Sequence, residues 1–309
     1  MKPYLAVDWG TSNLRAWRID ARGKVEASLD LPLGVSRIAL GSAQQIFEHD
    51  VRRPLDCEHL PALLCGMAGS SLGWRTAPYV DCPASIADVA KSVVLATRGP
   101  FAIAIAPGLK TGMSSAADIL RGEETQIFGW LDACKPSGRA LVCLPGTHSK
   151  WALVEDGRIE RFRTYMTGEL FALLSEHSVL ASGKRAPGAD DVFDDDAFDE
   201  GVDAAGGGDA LSARLFRART RVVVGAADAG STAAYLSGLL IGAEIAAADR
   251  HFAFGESQTL TVIGAAALSA HYVRALAQRG RAVRWHQGDT AFVAGANALV
   301  RQGALDAAG

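Results

Sequence analysis

The sequence predicts an α/β protein built as two domains, and three observations support that expectation. The chain has 309 residues, more than one core usually organises. Short apolar runs ending at Gly or Pro alternate along it with segments of helical spacing. Twice, well apart, strand-like runs flank a turn containing Gly-Thr: "VDWGTSNLRAW" at 7–17 and "LPGTHSKW" at 144–151.

In chain order, residues 4–8 and 14–19 read as a hairpin and 24–31 as a third strand. "ALLCGM" (62–67) and "FAIAIAP" (101–107) read as central strands. "EETQIFGWLDAC" (123–134) has helical spacing, with Ile127, Trp130, Leu131 and Cys134 on one face and acids in its first turn. Residues 140–165 read as a three-stranded meander whose second turn, Asp156-Gly157, is a favoured two-residue hairpin loop. Then come a small-residue-rich helix (231–249), a strand (259–264), a helix (265–278), a short strand (282–285) and a last helix (289–302). Eight carboxylates fall between Asp190 and Asp203. Their spacing is not that of a calcium loop, so a solvated helix or loop is expected. There is no fixed-period repeat.

Composition narrows the function. Hydrophobic residues make up 49%, ample for sizeable cores, and 34 acids outnumber 31 bases. With a pI near 6.2, the chain lacks the basic balance of a nucleic-acid binder. A small-molecule ligand is expected. The five cysteines (Cys57, Cys65, Cys82, Cys134 and Cys143) form no CxxC pair and read as buried free thiols of a reducing compartment. The start of the chain shows no charged-then-apolar signal, and no uninterrupted apolar run reaches about 18 residues. A soluble cytoplasmic protein is expected, with no membrane partner.

The first turn packs a carboxylate, a glycine and hydroxyls between two strands. Gly10 lets backbone amides approach a ligand, and the amides of Gly10, Thr11, Ser12 and Asn13 can form an anion nest. Asp8 would repel a bare phosphate, which makes sense if a magnesium ion lies between them. The stretch lacks the GK[ST] ending of a Walker loop and is followed by a strand. An ordinary hairpin turn is the competing reading. The second turn repeats the pattern with Gly146, Thr147 and Ser149, and Lys150 adds a cation; together the two turns suit a polyphosphate. A third stretch, "VIGAAALSAHY" (262–272), breaks from a strand into Gly264, Ala265 and further alanines, where a flat adenine or ribose can lie against backbone. Tight helix–strand packing would account for it equally. No HExxH pair, Cys-His cluster or GxSxG elbow is present.

On these three stretches the chain resembles the sugar-kinase branch of the actin, hexokinase and Hsp70 superfamily. More closely, it resembles the 2-dehydro-3-deoxygalactonokinase family, whose stretches stand here as "VDWGTSNLRAW", "CGMAGSSLGW", "APYVDCPA", "APGL", "ILRGEETQ", "LPGTHSKW", "FRTYMTGEL", "SGLLIGAEI" and "GDTAFVAG", from residue 7 to residue 295. His148 departs from the superfamily pattern, standing where many relatives have glycine. The resemblance implies an actin/hexokinase-like (ribonuclease H-like) fold of two βββαβα domains, with ATP in the cleft. Expected boundaries are 1–115, with the first phosphate loop and sugar-acid site, and 116–309, with the second loop and adenosine motif; the final helix is free to pack back on the first domain. It implies transfer of the ATP γ-phosphate to the 6-hydroxyl of 2-dehydro-3-deoxygalactonate, in galactonate catabolism.

Superfamily kinases carry their base as a carboxylate at a helix start before the second phosphate loop. Here that place holds Glu123 and Glu124. The register between them is open; Glu124 is favoured because a Thr follows it. Plain helix-start acids are the competing reading. Gly69, Ser70, Trp74 and Arg121 are assigned to the sugar acid, and Arg15 to a phosphate or the substrate carboxylate. Expected partners are thus ATP, Mg²⁺ and a sugar acid, with a homodimer as the oligomer entertained. Rival readings are a kinase for another sugar or sugar acid, a phosphatase or carboxylate kinase of the superfamily, and a nucleotide- or sugar-sensing regulator. The regulator would need a helix-turn-helix arm, and here the phosphate motif starts within eight residues of Met1. A silent sensor should also lack the acid pair.

Overall fold

All six residues of β1 (Tyr4–Trp9) are buried, as expected of a strand with neighbours on both edges and cover on both faces. The computed structural model describes residues 1–112, 116–181, 193–253, 255 and 259–306. Contacts divide the chain into two units. Unit 1 comprises 1–139, 152–162 and 286–309; unit 2 comprises 140–151 and 163–285.

In unit 1, β1 pairs antiparallel with β2 (Leu14–Ile19), and β2 with β3 (Val25–Leu31). A short helix α1 (Ala43–Ile46) continues as a π-helical turn to Arg52. β4 (Ala62–Gly66) then lies parallel to the other edge of β1. A small three-stranded sheet has the order β5-β8-β9, formed by β5 (Tyr79–Asp81), β8 (Gly108–Thr111) and β9 (Asp118–Leu120). Between these come α2 (Ile86–Lys91), with a capping box at Ser85 and Asp88, β6 (Val94–Thr97) and β7 (Ile103–Ile105). The large sheet has the order β3-β2-β1-β4-β7-β6. Trp9, Leu14, Phe47, Leu64 and Ile105 are among its fully buried core residues.

α3 (Glu123–Cys134) leads to β10 (Ala140–Leu144), β11 (Ser149–Glu155) and β12 (Arg158–Tyr165). The Asp156-Gly157 turn has positive φ at both residues, 49° and 76°, as a type I′ hairpin requires. α4 (Thr167–His177), α5 (Asp195–Ala204), α6 (Leu211–Val223) and α7 (Thr232–Phe252) follow. The chain closes with β13 (Leu260–Gly264), α8 (Ala266–Gln278), β14 (Val283–Gln287) and α9 (Gly288–Arg301). The second sheet has the order β12-β11-β10-β13-β14. The two large sheets share one plan: the next two strands lie on one side of the first, and a parallel strand reached by a crossover, β4 or β13, lies on the other. The first sheet ends at β6, antiparallel to β7.

Three expectations need correction. Cys82 is half-buried and Cys134 exposed; only Cys57, Cys65 and Cys143 are buried. The face of α3 that packs inward holds Thr125, Phe128 and Gly129 beside Ile127 and Trp130, while Leu131 is half-buried. α9 approaches at Gly129, where a Cβ would stand 1.8 Å from the Ala291 carbonyl oxygen. The acidic segment is also more than a solvated surface. Residues 190–192 lie outside the described residues, but α5 buries Phe198 and Val202. A Cβ on Gly201 would lie 2.2 Å from the Tyr235 carbonyl oxygen, so α5 and α7 meet backbone to backbone. Asp195 and Asp199 are paired with Arg274.

One helical stretch of the described residues, Ala229–Phe252, is long and apolar enough to cross a membrane, with mean hydropathy 1.3, and 67% of that window is buried inside the protein. α7 is a core helix.

Candidate functional site

The first cluster lies in unit 1, at the end of β1. Asp8 sits opposite Arg15 of β2 and Cys65 of β4. Arg15 Nη2 donates to Asp8 Oδ2 at 2.6 Å, and Arg15 Nη1 donates to Asp289, in the first turn of α9. Arg15 is thus committed to two carboxylates. Burial pushes the Asp8 carboxyl above its ordinary range; Arg15 opposes that shift, and Glu123 and Asp289 add to it.

The turn after β1 is braced from behind. Gly34 and Ser36 donate their amides to the Ser12 and Thr11 carbonyls at 3.0 and 3.1 Å, and Val35 donates to Gly10 at 3.1 Å. A Cβ on Gly34 would lie 2.2 Å from the Thr11 oxygen, so glycine is what lets the brace close. Thr11, Ser12 and Asn13 are exposed. The Gly10 amide closes the turn by donating to Asn13 O at 2.8 Å, so the candidate anion nest is the amides of Thr11, Ser12 and Asn13.

Two glycines with positive φ floor the space beside Asp8. A Cβ on Gly66 (φ 78°) would come within 3.3 Å of Asp8 Oδ1, and one on Gly122 (φ 110°) within 3.1 Å of the Gly66 Cα. Gly122 is also the residue before α3, so its turn sets the direction of Glu123 and Glu124. Glu124 is completely buried. Its Oε2 accepts from the Gly122 amide at 2.6 Å and its Oε1 from Thr125 Oγ1 at 3.2 Å. Burial, reinforced by Glu123, pushes its carboxyl from the ordinary 4.5 to about 7. Glu123 is half-buried, and one oxygen accepts from the Arg121 amide at 3.0 Å.

Arg121 joins this cluster to the 65–74 loop. Its guanidinium carbon stands 4.3 Å from the centre of the Tyr79 ring, and Nη2 donates to the Ala77 carbonyl at 2.9 Å. Nε and Nη1 are buried without a hydrogen-bond partner among the described residues. A Cβ at Gly69 would lie 2.6 Å from Nη1. Ser70 and Trp74 have local duties. Ser70 Oγ donates to Met67 O at 2.8 Å within its own turn, and Trp74 packs on Phe47 with ring centres 5.5 Å apart.

The second cluster belongs to unit 2. The 145–148 turn follows β10, with Thr147 and His148 exposed and Ser149 and Lys150 buried. The start of α4 lies against it: Glu169 donates its amide to Thr147 O at 3.0 Å, and a Cβ on Gly168 would reach within 2.5 Å of Gly146 O. His148 pairs with Glu169. Gly264 ends β13, and Trp285 Nε1 donates to its carbonyl at 3.1 Å; Ala265, the next residue, is exposed at the start of α8. A cavity of about 580 Å³ lies beside these elements, lined among others by Gly146, Thr167, Phe171, Ala234, Leu268 and Tyr272. Its size and largely apolar wall suit a flat heterocycle. Gly264 and Ala265 are not part of that wall.

Sequence reasoning left three of these residues unassigned: Asp289, Glu244 and Tyr272. Glu244, in α7, is a lone carboxylate inside the apolar run "GLLIGAEIAAA", and that isolation is the signal that was available. It accepts from Trp151 Nε1 at 2.7 Å and from the Tyr272 hydroxyl at 2.8 Å. Burial pushes its carboxyl upward, opposed by these donors and by the Thr167 and Ser149 hydroxyls. Among the described residues, no group of three or more His, Cys, Asp and Glu side chains could hold a metal ion.

The plan of the two sheets, with a Gly-Thr turn after the first strand of each, is that of the actin/hexokinase-like ATPases and kinases. The activator of 2-hydroxyisocaproyl-CoA dehydratase from Clostridium difficile, solved with bound ADPNP, shares the fold at a TM-score of 0.54. It covers 97% of this chain and 96% of its own, at 8% identity. Nearer is the crystal structure of a Sinorhizobium meliloti protein provisionally named a 2-dehydro-3-deoxygalactonokinase, with a TM-score of 0.86, 34% identity and 96% of each chain covered. The 2-dehydro-3-deoxygalactonokinase of Escherichia coli strain K12 is 35% identical over 296 residues, 96% of this chain and 97% of its own. The profile of the 2-keto-3-deoxy-galactonokinase family matches residues 8–299, and this chain belongs to that family. It is a kinase, and ATP is its implied phosphoryl donor.

Proposed function

We propose that the chain phosphorylates the 6-hydroxyl of 2-dehydro-3-deoxygalactonate, giving 2-dehydro-3-deoxy-6-phosphogalactonate, a step of galactonate catabolism. The substrate class is that named for the E. coli relative. The observation that supports it best in this chain is Arg121, whose buried Nε and Nη1 have no partner among the described residues. Leaving such donors unsatisfied is costly, and the carboxylate of a sugar acid would satisfy them. A neutral hexose offers only hydroxyl acceptors, without the charge and bidentate geometry that match a guanidinium. Gly69 makes the room, and Ser70 and Trp74 shape the loop.

In the reaction the 6-oxygen attacks the γ-phosphorus, the bond to the β–γ bridging oxygen breaks, and the hydroxyl proton passes to a carboxylate. Sequence reasoning favoured Glu124 for that proton. We assign it to Glu123, because Glu124 has no exposed surface and both its oxygens are occupied. Glu124 braces the Gly122 turn. Arg15 holds Asp8 and Asp289 in place. The amides of Thr11–Asn13, on the turn that Gly10 closes, and of the 146–148 turn, with the Thr147 hydroxyl, His148 and Lys150, serve the phosphates, and the unit 2 cavity takes adenosine beside Gly264 and Ala265.

Mg²⁺ is proposed at Asp8. The glycine-floored space beside Oδ1 fits an ion held by one carboxylate, with phosphate oxygens and waters completing its shell. When bound, the ion neutralises phosphate charge. Five free cysteines fit a cytoplasmic location.

ADP release should be measured across 2-keto-3-deoxy sugar acids and neutral hexoses, with the product's phosphate position read by NMR. Turnover of the galactonate-type acid with phosphate on O6 is expected. Turnover of neutral hexoses alone would overturn the substrate while leaving a kinase.

A further inference from the structure

Glu244 holds a buried polar chain that ends at the second Gly-Thr turn. Trp151 Nε1 donates to its Oε1 at 2.7 Å, the Tyr272 hydroxyl donates to its Oε2 at 2.8 Å, and Ser149 Oγ lies 2.8 Å from the Tyr272 oxygen. Their exposures are 3% for Glu244, 1% for Tyr272 and 0% for Ser149, so the chain is shielded from bulk solvent. Donor counting fixes the direction. An indole N–H only donates, and a phenol has one proton. Once Tyr272 gives that proton to Glu244, its oxygen can only accept from Ser149. The other acceptors within reach of Ser149 Oγ are Glu244 itself and the Gly146 carbonyl, at 3.5 Å. The Ser149 proton therefore points into the protein.

We propose that Glu244 is a positioning residue for nucleotide. By taking the Tyr272 proton it makes Tyr272 the acceptor that anchors Ser149, and so fixes the Gly146–Ser149 turn in its phosphate-receiving form. This rests on the reading of that turn as a phosphate site. It makes the Ser149 hydroxyl an anchor and leaves Thr147 and the turn amides to meet phosphate. The chain also links three parts of the nucleotide region, since Tyr272 and Thr167 line the cavity and Thr167 hydrogen-bonds to Glu244.

The test is MgATP affinity of the full chain by calorimetry, beside the KM values for ATP and sugar acid. The variants are Glu244→Gln, Tyr272→Phe, Ser149→Ala and the Tyr272→Phe/Ser149→Ala double. Glutamine keeps the shape of Glu244 but turns an amide donor toward some of the four donors around it. Should Glu244→Gln fail to fold, Tyr272→Phe carries the test, since it removes one oxygen and keeps the ring. Each single variant should weaken ATP by about tenfold, the loss of one ordinary hydrogen bond. The double should be no weaker than either single, because both break one link. The ATP KM should rise while the sugar-acid KM holds. Parental ATP affinity in Tyr272→Phe overturns the proposal, as does a double variant that multiplies the two losses. So does a parallel rise of both KM values with a lower Tm, the mark of a general packing defect. A parent chain that binds no ATP would overturn the kinase reading itself.

Discussion

Glu123 and Glu124 are neighbours with opposite surroundings, and their variants should separate accordingly. Glu123→Gln keeps size and removes basicity, so kcat should fall by about 10²–10⁴ while ATP affinity stays near parental. Glu124→Gln should lose far less kcat; a collapse there with a near-parental Glu123→Gln would return the base to Glu124. Glu124 also predicts a pH effect on stability. Its folded carboxyl, near 7, lies above the ordinary 4.5, so the folded state binds the proton more tightly. Its stabilising contribution is present below about pH 4.5 and lost as pH rises through about 7, a change on the order of 3 kcal/mol. Denaturant unfolding of parent and Glu124→Gln from pH 4.5 to 8 should show the parent falling relative to the variant; a flat difference would contradict a buried acid of raised pKa. Asp8→Asn should weaken Mg²⁺-dependent ATP binding, with partial recovery at high magnesium. Parental behaviour at limiting magnesium would remove Asp8 from that role. The acid pair was legible in the sequence. Which acid is completely buried was not, because packing from distant segments decides it.

Between elements, glycines set how closely helices meet, and hydrophobic periodicity cannot see them. α3 and α9 touch at Gly129 and Gly295, where added Cβ atoms would stand 1.8 Å from the Ala291 and Thr125 carbonyl oxygens. The sequence pattern recovered α3 and its bounds but placed Leu131 and Cys134 inward, since Gly129 adds nothing to an apolar stripe. α5 was misjudged for the same reason: its charge is plain to read, and its Gly201 contact with α7 is silent. Gly295→Ala should cost about 3 kcal/mol or more, because the obstacle is backbone and cannot rotate away. The gain of about 1 kcal/mol in helix propensity is too small to offset it. Because α3 and α9 begin at Glu123 and beside Asp289, kcat should drop with stability. Gly208→Ala, with no neighbour within 4 Å of the added Cβ, should stay within about 0.5 kcal/mol of parental. Equal effects at both positions would refute the close-approach account.

For the molecule as a whole, the repeated strand–Gly-Thr turn–strand pattern was the strongest signal in the sequence, and the two sheets repeat it: each turn follows the first strand of its sheet. The cavity and the Glu244 chain were hidden, because α4, α7 and α8 come together from positions about a hundred residues apart. If unit 2 takes the nucleotide and unit 1 the sugar acid, the two ligands should leave different hydrogen-exchange footprints. At about a hundred times Kd a ligand adds about 2.7 kcal/mol to any opening that destroys its site, slowing exchange through that opening by up to about 100-fold. ATP should slow amides in 11–13, 146–150, 167–171, 233–241 and 264–272, the two phosphate turns and the elements around the cavity. The sugar acid should slow those in 66–74 and 121–124, around Gly69 and Arg121. Neither should change 25–28, the stretch of the edge strand β3 that pairs with residues 17–19. ATP protection of 66–74 with none in 233–272 would remove the nucleotide from the unit 2 cavity. Sugar-acid protection that spares 121–124 would remove Arg121 as the carboxylate anchor.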